Sequence, residues 1–424
     1  MSLLKHVADV RVSNVDKKAY DGEAPVRLCN YTDVYYGEAL RADTGSYLAA
    51  TASAAQVAAF RLLPGDTVLT KDSETAEDIG VSAFIEVSAA DFVCGYHLAL
   101  LRPRTDLVDG KYLFWVTRSA AMRSQLAVAA TGVTRYGLRS EALANVNVPL
   151  PALEEQRRIA DFLDDQVTYI DRAIELRQQQ TALVGERASE RVRAAVLGVG
   201  QPGVRADVTT RWIASVPTDW TVEPLGRRFE ILLGKMLAPD RVAGSHLRPY
   251  LRNTNVQWDR IDTHDLVLMD FPPEERRRYE VLPGDLLVCE GGEVGRAAVW
   301  DGRMAEIYYQ KALHRVRPRG TTGVRWIFYV LRAATDLGIF TMESGTTIAH
   351  LTGEQLRAHR VPFPPSAVEG ALVSMLDEAA REDSALGVLA GRQVALLQER
   401  KQALITAAVT GQFDVTTAST RSVA

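Results

Sequence analysis

The sequence has little of what marks many common classes of protein. Among its 424 residues there are only three cysteines, Cys29, Cys94 and Cys289. They lie far apart in the chain, so we expect neither a disulfide framework nor a cysteine metal site. No leader-like apolar segment follows Met1, and no apolar run reaches the roughly 18 residues that a membrane span requires. These absences predict a cytoplasmic protein that does not enter membranes.

Motifs of catalysis are also missing. The seven histidines form no His-x-x-x-His pair. The glycine-rich segment 290–295 lacks the Gly-Lys-Ser/Thr of a phosphate-binding loop, so we interpret it as a turn between strands. Asp285, Glu290 and Glu293 resemble nuclease metal ligands only superficially, because no lysine follows at the required spacing. An Asn-Pro-Pro-Tyr methyltransferase motif and a G-x-S-x-G elbow are likewise absent. We therefore predict a chain with no catalytic residues, no metal and no cofactor of its own.

The chain also lacks an excess of positive charge. Its formal net charge is −4, which disfavours binding to nucleic acid, since affinity for DNA comes largely from Lys and Arg contacts to phosphate. Local clusters of arginine are present: Arg102 with Arg104, Arg135 with Arg139, Arg227 with Arg228, Arg276 to Arg278, and Arg315, Arg317 and Arg319. Each cluster is either a DNA-binding patch or an ordinary solvated surface.

What the sequence does contain is an internal repeat. Thr131-Gly-Val-Thr-Arg-Tyr-Gly-Leu138 aligns with Ser344-Gly-Thr-Thr-Ile-Ala-His-Leu351 at an offset of 213 residues. The same offset pairs Leu143 with Leu356, Val148–Pro151 with Val361–Pro364, Ile159 with Leu372, Asp164 with Asp377, Val196 with Val409 and Gly198 with Gly411. Upstream, with small changes of register, Leu63-Pro-Gly-Asp66 matches Leu282-Pro-Gly-Asp285, and Leu101-Arg-Pro103 matches Val316-Arg-Pro318. The chain therefore consists of two copies of one unit.

Each copy reads as a mixed domain followed by a long helix. After the proline-rich segments near 149–151 and 362–365, apolar residues recur at helical spacing until Gly198 and Gly411, where left-handed caps are expected. Ser366 and Glu369 have the spacing of a capping box. The predicted fold is α+β, with two similar domains joined by two long packed helices, of antiparallel or parallel coiled-coil character. Alternatively, each helix caps its own domain. The predicted segments are 1–151, first domain; 152–198, first helix; 199–211, linker; 212–365, second domain; 366–411, second helix; and 412–424, tail.

Three segments resemble a known family. Residues 150–164, Leu-Pro-Ala-Leu-Glu-Glu-Gln-Arg-Arg-Ile-Ala-Asp-Phe-Leu-Asp, are similar to the segment that closes a target recognition domain and opens the conserved helix in type I restriction–modification specificity subunits. Residues 397–414 resemble the end of the second conserved helix of that family. Trp212-Ile-Ala-Ser-Val-Pro-Thr-Asp-Trp220 resembles the start of a recognition domain, a motif that the first copy lacks.

The resemblance implies a function without chemistry. In this family two target recognition domains each read one half of a split, asymmetric site in double-stranded DNA, and the helices fix the gap between the halves. Two methyltransferase subunits and motor-nuclease (restriction) subunits are the partners that it implies. S-adenosylmethionine, ATP and magnesium would bind to those partners. A protein-binding scaffold with two domains on a helical spacer is the alternative function.

Candidate DNA-binding residues follow from the duplicated polar segments. In the first domain they are Asn30, Thr131, Thr134, Arg135, Tyr136 and Arg139. In the second they are Arg252, Asn253, Asn255, Thr346, Thr347 and His350. Hydroxyl, amide and basic side chains are the groups that read base edges and contact phosphate. A role in stabilising turns is the alternative for each of them.

Overall fold

The computed structural model describes residues 1–237, 244–343 and 350–415. The chain divides into two compact units. Unit 1 comprises residues 1–178 and 390–424, and unit 2 comprises residues 179–389. Each unit therefore holds one mixed domain together with parts of both long helices.

Unit 1 is built around a five-stranded sheet in the order β2-β10-β6-β8-β4 and a three-stranded sheet in the order β5-β3-β9. Its strands are β1 Ser2–Leu3, β2 Ala8–Val12, β3 Ala24–Cys29, β4 Ala39–Arg41, β5 Leu48–Ala52, β6 Thr67–Thr70, β7 Asp72–Ser73, β8 Ser82–Val87, β9 Phe92–Cys94, β10 Leu98–Pro103, β11 Tyr136–Gly137 and β12 Asn147–Val148. Its helices are α1 Leu4–Val7, α2 Tyr31–Tyr36, α3 Ala54–Phe60, α4 Gly110–Arg118, α5 Ala120–Ala129, α6 Ser140–Ala144 and the first part of α7 Leu153–Val196.

Unit 2 contains a four-stranded sheet in the order β16-β24-β21-β22 and a three-stranded sheet in the order β20-β17-β23. Its strands are β13 Arg205–Asp207, β14 Ser215–Pro217, β15 Thr221–Pro224, β16 Phe229–Leu233, β17 Leu247–Leu251, β18 Val256–Gln257, β19 Arg260–Ile261, β20 Val267–Asp270, β21 Leu286–Cys289, β22 Ala297–Val299, β23 Tyr308–Tyr309, β24 Leu313–Pro318 and β25 Arg360–Phe363. Its helices are α8 Pro273–Tyr279, α9 Val324–Asp336, α10 Ile339–Glu343, α11 Gly353–Ala358 and the first part of α12 Ser366–Val409, with 3₁₀ turns at Leu225–Arg227 and Asn253–Asn255.

The central strands of the two units are arranged in the same way. In unit 1, β10 lies antiparallel between β2 and β6; in unit 2, β24 lies antiparallel between β16 and β21. In the smaller sheets, β3 is antiparallel to β5 and parallel to β9, just as β17 is antiparallel to β20 and parallel to β23. The internal duplication inferred from the sequence is therefore a duplication of topology.

Successive residues of the central strands point to opposite faces of the sheet, and each face packs against its own apolar core. In unit 1, Ala99 and Leu101 face a core formed with α4, α5 and α7, whereas Leu98 and Leu100 face a second core on the other side of the sheet. In unit 2, Leu286 and Val288 face the core formed with α9 and both long helices, and Leu287 and Cys289 face the opposite one. Apolar residues on both faces of a strand show that the sheet is covered on both sides.

The long helices run antiparallel within each unit. In unit 1, Lys401 donates to both carboxylate oxygens of Asp171 at 2.8 and 2.7 Å, and Phe162 contacts Phe413 with ring centroids 5.6 Å apart. In unit 2, Arg191 donates to Asp383 at 2.9 Å, while Val196 shares a core with Leu372. In both units, contacts further along α7 are made with residues nearer the start of α12, which is the pattern of antiparallel helices. Each unit thus contains part of the helix of its own copy and part of the helix of the other copy. The alternative in which each helix caps only its own domain is therefore wrong.

The same contacts attach each domain to its helix. Tyr112 donates to the carbonyl oxygen of Pro149 at 3.3 Å, and in unit 2 Trp326 donates to that of Pro362 at 2.8 Å. One turn later, Trp115 donates to Asp164 at 2.7 Å, and Tyr329 donates to Asp377 at 2.5 Å. The donors are tyrosine and then tryptophan in unit 1, and tryptophan and then tyrosine in unit 2. The acceptors, a proline carbonyl and an aspartate, keep the 213-residue offset, which explains why they recur in the sequence.

Some local predictions are confirmed and others need correction. Gly198 and Gly411 have φ of 64° and 73°, as expected for left-handed caps. The capping box at Ser366 is wrong: α12 begins at Ser366, and the Glu369 carboxylate accepts a hydrogen bond from the backbone N–H of Gly323 at 3.1 Å. The predicted linker is partly structured, because β13 pairs with β14. Beyond residue 415, the predicted tail lies outside the described residues.

Candidate nucleic-acid interface

Several arginines of the predicted basic clusters are neutralised inside the domains. The guanidinium of Arg102 donates to Asp66 at 2.9 and 2.7 Å, and that of Arg317 donates to Asp285 at 2.7 and 2.6 Å. Arg315 is buried and pairs with Glu230. These three arginines stabilise the sheets, so neither a DNA-binding patch nor an ordinary solvated surface describes them, whereas Arg104 and Arg319 of the same clusters are exposed. Asp285, considered above as a metal ligand, is instead the buried partner of Arg317.

In unit 1, two of the predicted segments come together. Asn30 is the N-cap of α2: its side-chain oxygen accepts from the N–H of Tyr31 at 2.9 Å, and Asp33 accepts from the N–H of Asn30 at 2.7 Å. Burial raises the pKa of Tyr31, and the charge of Asp78 adds to this, while the positive charge of Arg135 acts in the opposite direction. That electrostatic effect indicates that Arg135 lies near the start of α2.

The segment around Arg135 is an exposed hairpin. Thr131 and Gly137 exchange backbone hydrogen bonds at 3.1 and 2.9 Å, and Thr134 and Arg135 are exposed at the tip. A side chain at Gly132, which has φ of 149°, would lie 2.0 Å from the carbonyl oxygen of Arg135, so the turn requires glycine there. The hairpin presents its polar side chains to solvent.

Two neighbours of the hairpin have different surroundings. The ring of Tyr136 packs against the first core, so it is a partly buried structural residue. Arg139 precedes α6 and is exposed. Within the described parts of the chain neither Arg135 nor Arg139 has an ion pair, so both cations are available for an external anion.

Sequence reasoning missed a second group in unit 1, at the start of β7 and in the loop between β9 and β10. His97 Nδ1 lies 2.8 Å from Asp72 Oδ2, and Lys71 Nζ lies 3.1 Å from the same oxygen and 4.7 Å from the centre of the Tyr96 ring. Burial acts to raise the pKa of Asp72, but the hydrogen bonds from His97 and Lys71 outweigh it and hold the pKa below its ordinary value. The residues lie outside the segments that repeat, so no sequence signal singled them out.

In unit 2, the structure brings together residues from both predicted segments. The Asn253 amide donates to the carbonyl oxygen of Gly291 at 2.9 Å. His350 is exposed on the other side of this glycine: a side chain added at Gly291 would lie 3.3 Å from His350 Nδ1. The glycine-rich segment is, as predicted, a turn between β21 and β22, and the absence of a side chain at Gly291 leaves room for His350 beside it.

Two predicted residues of unit 2 form hydrogen bonds or ion pairs within the domain. Asn255 is only 3 % exposed; its side chain accepts from the N–H of Arg252 at 2.8 Å and donates to the carbonyl oxygen of Asp262 at 3.1 Å. It stabilises the 3₁₀ turn, so its prediction as a DNA-contacting residue is wrong. The guanidinium of Arg252 is held by Asp265 at 2.6 Å. Thr346 and Thr347 lie outside the described residues.

The interfaces contain no sign of metal chemistry in the residues that the structure describes. Within 1–237, 244–343 and 350–415, histidine, cysteine, aspartate and glutamate residues form no group of three that could hold a metal ion. A search of the same residues finds no helix with the length and apolar character of a membrane span.

Comparisons with known proteins agree with this architecture. Residues 13–184 match the family model described as the type I restriction modification DNA specificity domain. The type I restriction enzyme EcoKI specificity subunit of Escherichia coli K12 is 23% identical over 333 residues, covering 75% of this chain and 68% of that protein.

Solved structures share the fold. A chain from a study of complex assembly and conformational transition of the type I R-M system has a TM-score of 0.74, with 19% identity and 97% of both chains covered. The HsdS subunit from Thermoanaerobacter tengcongensis has a TM-score of 0.55, with 19% identity, covering 97% of this chain and 96% of that one. Residues 13–184 thus match the DNA specificity domain of type I restriction modification, most of the chain is similar to a type I restriction enzyme specificity subunit, and the fold is that of the two solved chains.

Proposed function

We propose that this chain is the non-catalytic DNA-recognition subunit of a type I restriction–modification complex, in which each unit reads one half of a bipartite, asymmetric site. The observation that carries the proposal is the repeated topology with different polar groups at equivalent places. The hydrogen bond from Leu138 N–H to Lys71 O has its counterpart from Leu351 N–H to Glu290 O, both at 2.8 Å. This fixes the alignment of the two surfaces.

On that alignment the two surfaces differ in chemistry. Asp72 and His97 of unit 1 correspond to Gly291 and Ala312 of unit 2, and Asn30 corresponds to Arg252. Direct readout depends on the donors and acceptors that a surface offers to base edges. Two surfaces on one scaffold with different donors and acceptors would select two different half-sites, so the complete site would be asymmetric.

The helices are proposed to set the gap between the half-sites and to dock two methyltransferase subunits. Large apolar side chains are exposed along their middle parts: Tyr169, Leu176, Leu183, Leu386, Leu389 and Leu396. Apolar residues left exposed on long helices favour a protein partner. Methyl transfer with S-adenosylmethionine, and ATP-dependent cleavage with magnesium, are assigned to the methyltransferase and restriction subunits. Positive charge on those partners would offset the net charge of −4.

Methylation assays test this division of labour. The purified chain alone should transfer no methyl group from S-adenosylmethionine to plasmid DNA, whereas the chain with its methyltransferase subunit should methylate a defined sequence. Substantial methylation by the chain alone would contradict the non-catalytic assignment.

Binding assays separate DNA recognition from the scaffold alternative. We expect a randomised duplex library, selected by electrophoretic shift with the assembled complex, to converge on one bipartite sequence. A library that stays random while the methyltransferase still binds would favour the scaffold function.

A further inference from the structure

Unit 1 contains a cleft beside Asn30 and His97. It has a volume of about 330 Å³ and is lined by Val15, Asp16, Lys17, Lys18, Leu28, Asn30, Tyr96 and His97. Val15 and Leu28 are each 1 % exposed and form an apolar floor, while Lys17, Lys18 and Tyr96 are exposed at the rim. An apolar floor with a few polar groups directed across it is typical of a ligand site.

The cleft depends on a close approach between two loops. The N–H of Gly95 donates to the carbonyl oxygen of Cys29 at 2.8 Å. A side chain at position 95 would lie 2.5 Å from that oxygen, so only glycine allows the approach. The contact places Tyr96 and His97 next to Asn30.

The orientation of the Asn30 amide is fixed by its role as a cap. Because Oδ1 accepts from the N–H of Tyr31, the Nδ2 group must lie on the other side of the amide. Within the described part of the chain Nδ2 has no hydrogen-bond partner, so it is a donor available to a ligand. Acceptors on base edges, such as O6 and N7 of guanine or O4 of thymine, fit such a donor.

The orientation of the His97 ring is fixed in the same way. Nδ1 donates to Asp72 at 2.8 Å, so Nε2 faces away from Asp72. Asp72 is itself held by Lys71, which also lies over the Tyr96 ring. Lys71 and Asp72 are therefore positioning residues for His97, and Nε2 is the group available to a ligand.

Two cations complete the site. Among the residues that the structure describes, no carboxylate pairs with the ammonium group of Lys17 or Lys18, while the backbone N–H of Lys18 donates to Asp16. Unpaired lysines at the rim of an apolar cleft suit a phosphodiester whose sugar rests on the floor.

We infer that this cleft holds one nucleotide of the DNA strand read by unit 1, with Lys17 and Lys18 at the phosphate and Asn30 Nδ2 and His97 Nε2 at the base edge. The inference rests on the proposed DNA-recognition function and adds the subsite and its residues to it. Since the counterparts of Asp72 and His97 are Gly291 and Ala312, the subsite contributes to one half-site only.

Paired substitutions in the full-length chain, assembled with its methyltransferase, test the base contacts. Asn30→Asp keeps the capping oxygen and removes the donor, and Asn30→Ser is a second capping variant. His97→Asn keeps a nitrogen near the position of Nδ1 and loses the one at Nε2. His97→Gln keeps a nitrogen near the position of Nε2 and loses the one at Nδ1. We expect Asn30→Asp and His97→Asn to change base preference roughly tenfold at one position of one half-site, with His97→Gln closer to the wild type.

The salt dependence of binding tests the phosphate contacts. Replacing Lys17 and Lys18 by alanine should reduce the slope of log affinity against log salt by about two for all sequences. Lys5→Ala is the matched control, because Lys5 bonds to Asn145 at 2.7 Å outside the cleft and should leave the slope unchanged.

The outcomes separate this inference from the proposed function. If the wild-type complex selects no bipartite sequence, the proposed function fails and the subsite with it. If the wild type selects such a sequence, and folded Asn30, His97 and lysine variants select it with unchanged preference and salt slope, the subsite is overturned while the proposed function stands.

Discussion

At the scale of single residues, the strongest feature is a buried ion pair repeated in both units. Asp66 and Asp285 are each 2 % exposed, accept from the N–H of Leu63 and Leu282 at 2.8 and 2.7 Å, and pair with an arginine of the neighbouring strand. The repeated Leu-Pro-Gly-Asp and Arg-Pro motifs are thus two halves of one interaction. This explains why both motifs are recognisable in the sequence although the residues between them differ.

Removing one partner of this pair should destabilise unit 2. We predict that Asp285→Ala lowers the free energy of unfolding by about 3 kcal/mol, because Arg317 would remain largely buried without its counter-charge. Asp301→Ala is the control: the Asp301–Arg303 pair is about half exposed, and its loss should cost less than about 1 kcal/mol. Denaturant titrations of the full chain measure both; equal effects would contradict the assigned role of Asp285.

His359 should make unit 2 sensitive to acid. Burial lowers its pKa to about 4, its ring stacks on Trp212 with centroids 5.5 Å apart, and Nε2 has no partner. A folded pKa below the unfolded value near 6.5 means that the neutral ring contributes stability that is complete above pH 6.5 and is lost as pH falls to 4.

His359→Phe should remove that loss. Between pH 6.5 and 4 the wild type should lose about 3 kcal/mol more than the variant in the free energy of unfolding. Urea denaturation at several pH values gives the comparison. Parallel pH profiles for the two proteins would show that His359 titrates normally.

The residues of the candidate interface were only partly predictable. Asn30, Arg135, Asn253 and His350 were selected because they lie in the repeated segments, and as DNA contacts they stay predictions. The same signal wrongly selected Asn255, since a residue can recur because it holds a turn. The search for repeated residues missed Lys71, Asp72, Tyr96 and His97. These residues differ between the two copies, and a search for repeats finds only what the copies share.

At the scale of elements, the long helices were the most predictable part of the fold. Their apolar periodicity and terminal glycines gave bounds within about three residues of Leu153–Val196 and Ser366–Val409. Periodicity could not reveal that each unit recruits parts of both helices, because an apolar stripe does not identify the surface that covers it. That depends on contacts such as Asp171 with Lys401, which are distant in sequence.

Lengthening both helices should lengthen the gap in the recognised sequence. Seven helix-forming residues inserted after Gln178 and seven after Leu389, at the boundaries of the units, add about 10 Å at 1.5 Å per residue. We expect a gap longer by about two or three base pairs with both half-sites unchanged. Seven residues keep the apolar faces within about 20° of their register, whereas two-residue insertions rotate them by about 200° and serve as the disruptive control.

Methylation of substrates with the same half-sites and different gaps measures the effect. An unchanged gap preference in a folded variant with seven-residue insertions would show that the helices do not set the spacing.

At the scale of the whole molecule, the duplication predicts that half of the chain can pair with itself. Ile405, Ala408 and Val409 complete the core of unit 1, and Ala195 and Val196 occupy the equivalent place in unit 2. A fragment ending at Gly203 lacks Ile405, Ala408 and Val409, so the core of unit 1 would be exposed. The same fragment still contains Ala195 and Val196, which a second copy could use to cover that core. We predict that the fragment forms a dimer that recognises a palindromic site. Size-exclusion chromatography with light scattering tests the first point; a stable, folded monomer would contradict it.

The most direct test of the account is to exchange one reading unit and to determine the recognised sequence. Residues 212–360 are replaced by the equivalent domain of a relative, the chain is assembled with its methyltransferase, and methylated positions are mapped across a genome-sized DNA. We predict a bipartite site in which one half changes while the other half and the gap are retained. A site in which both halves change, or neither does, would contradict the assignment of one half-site to each unit.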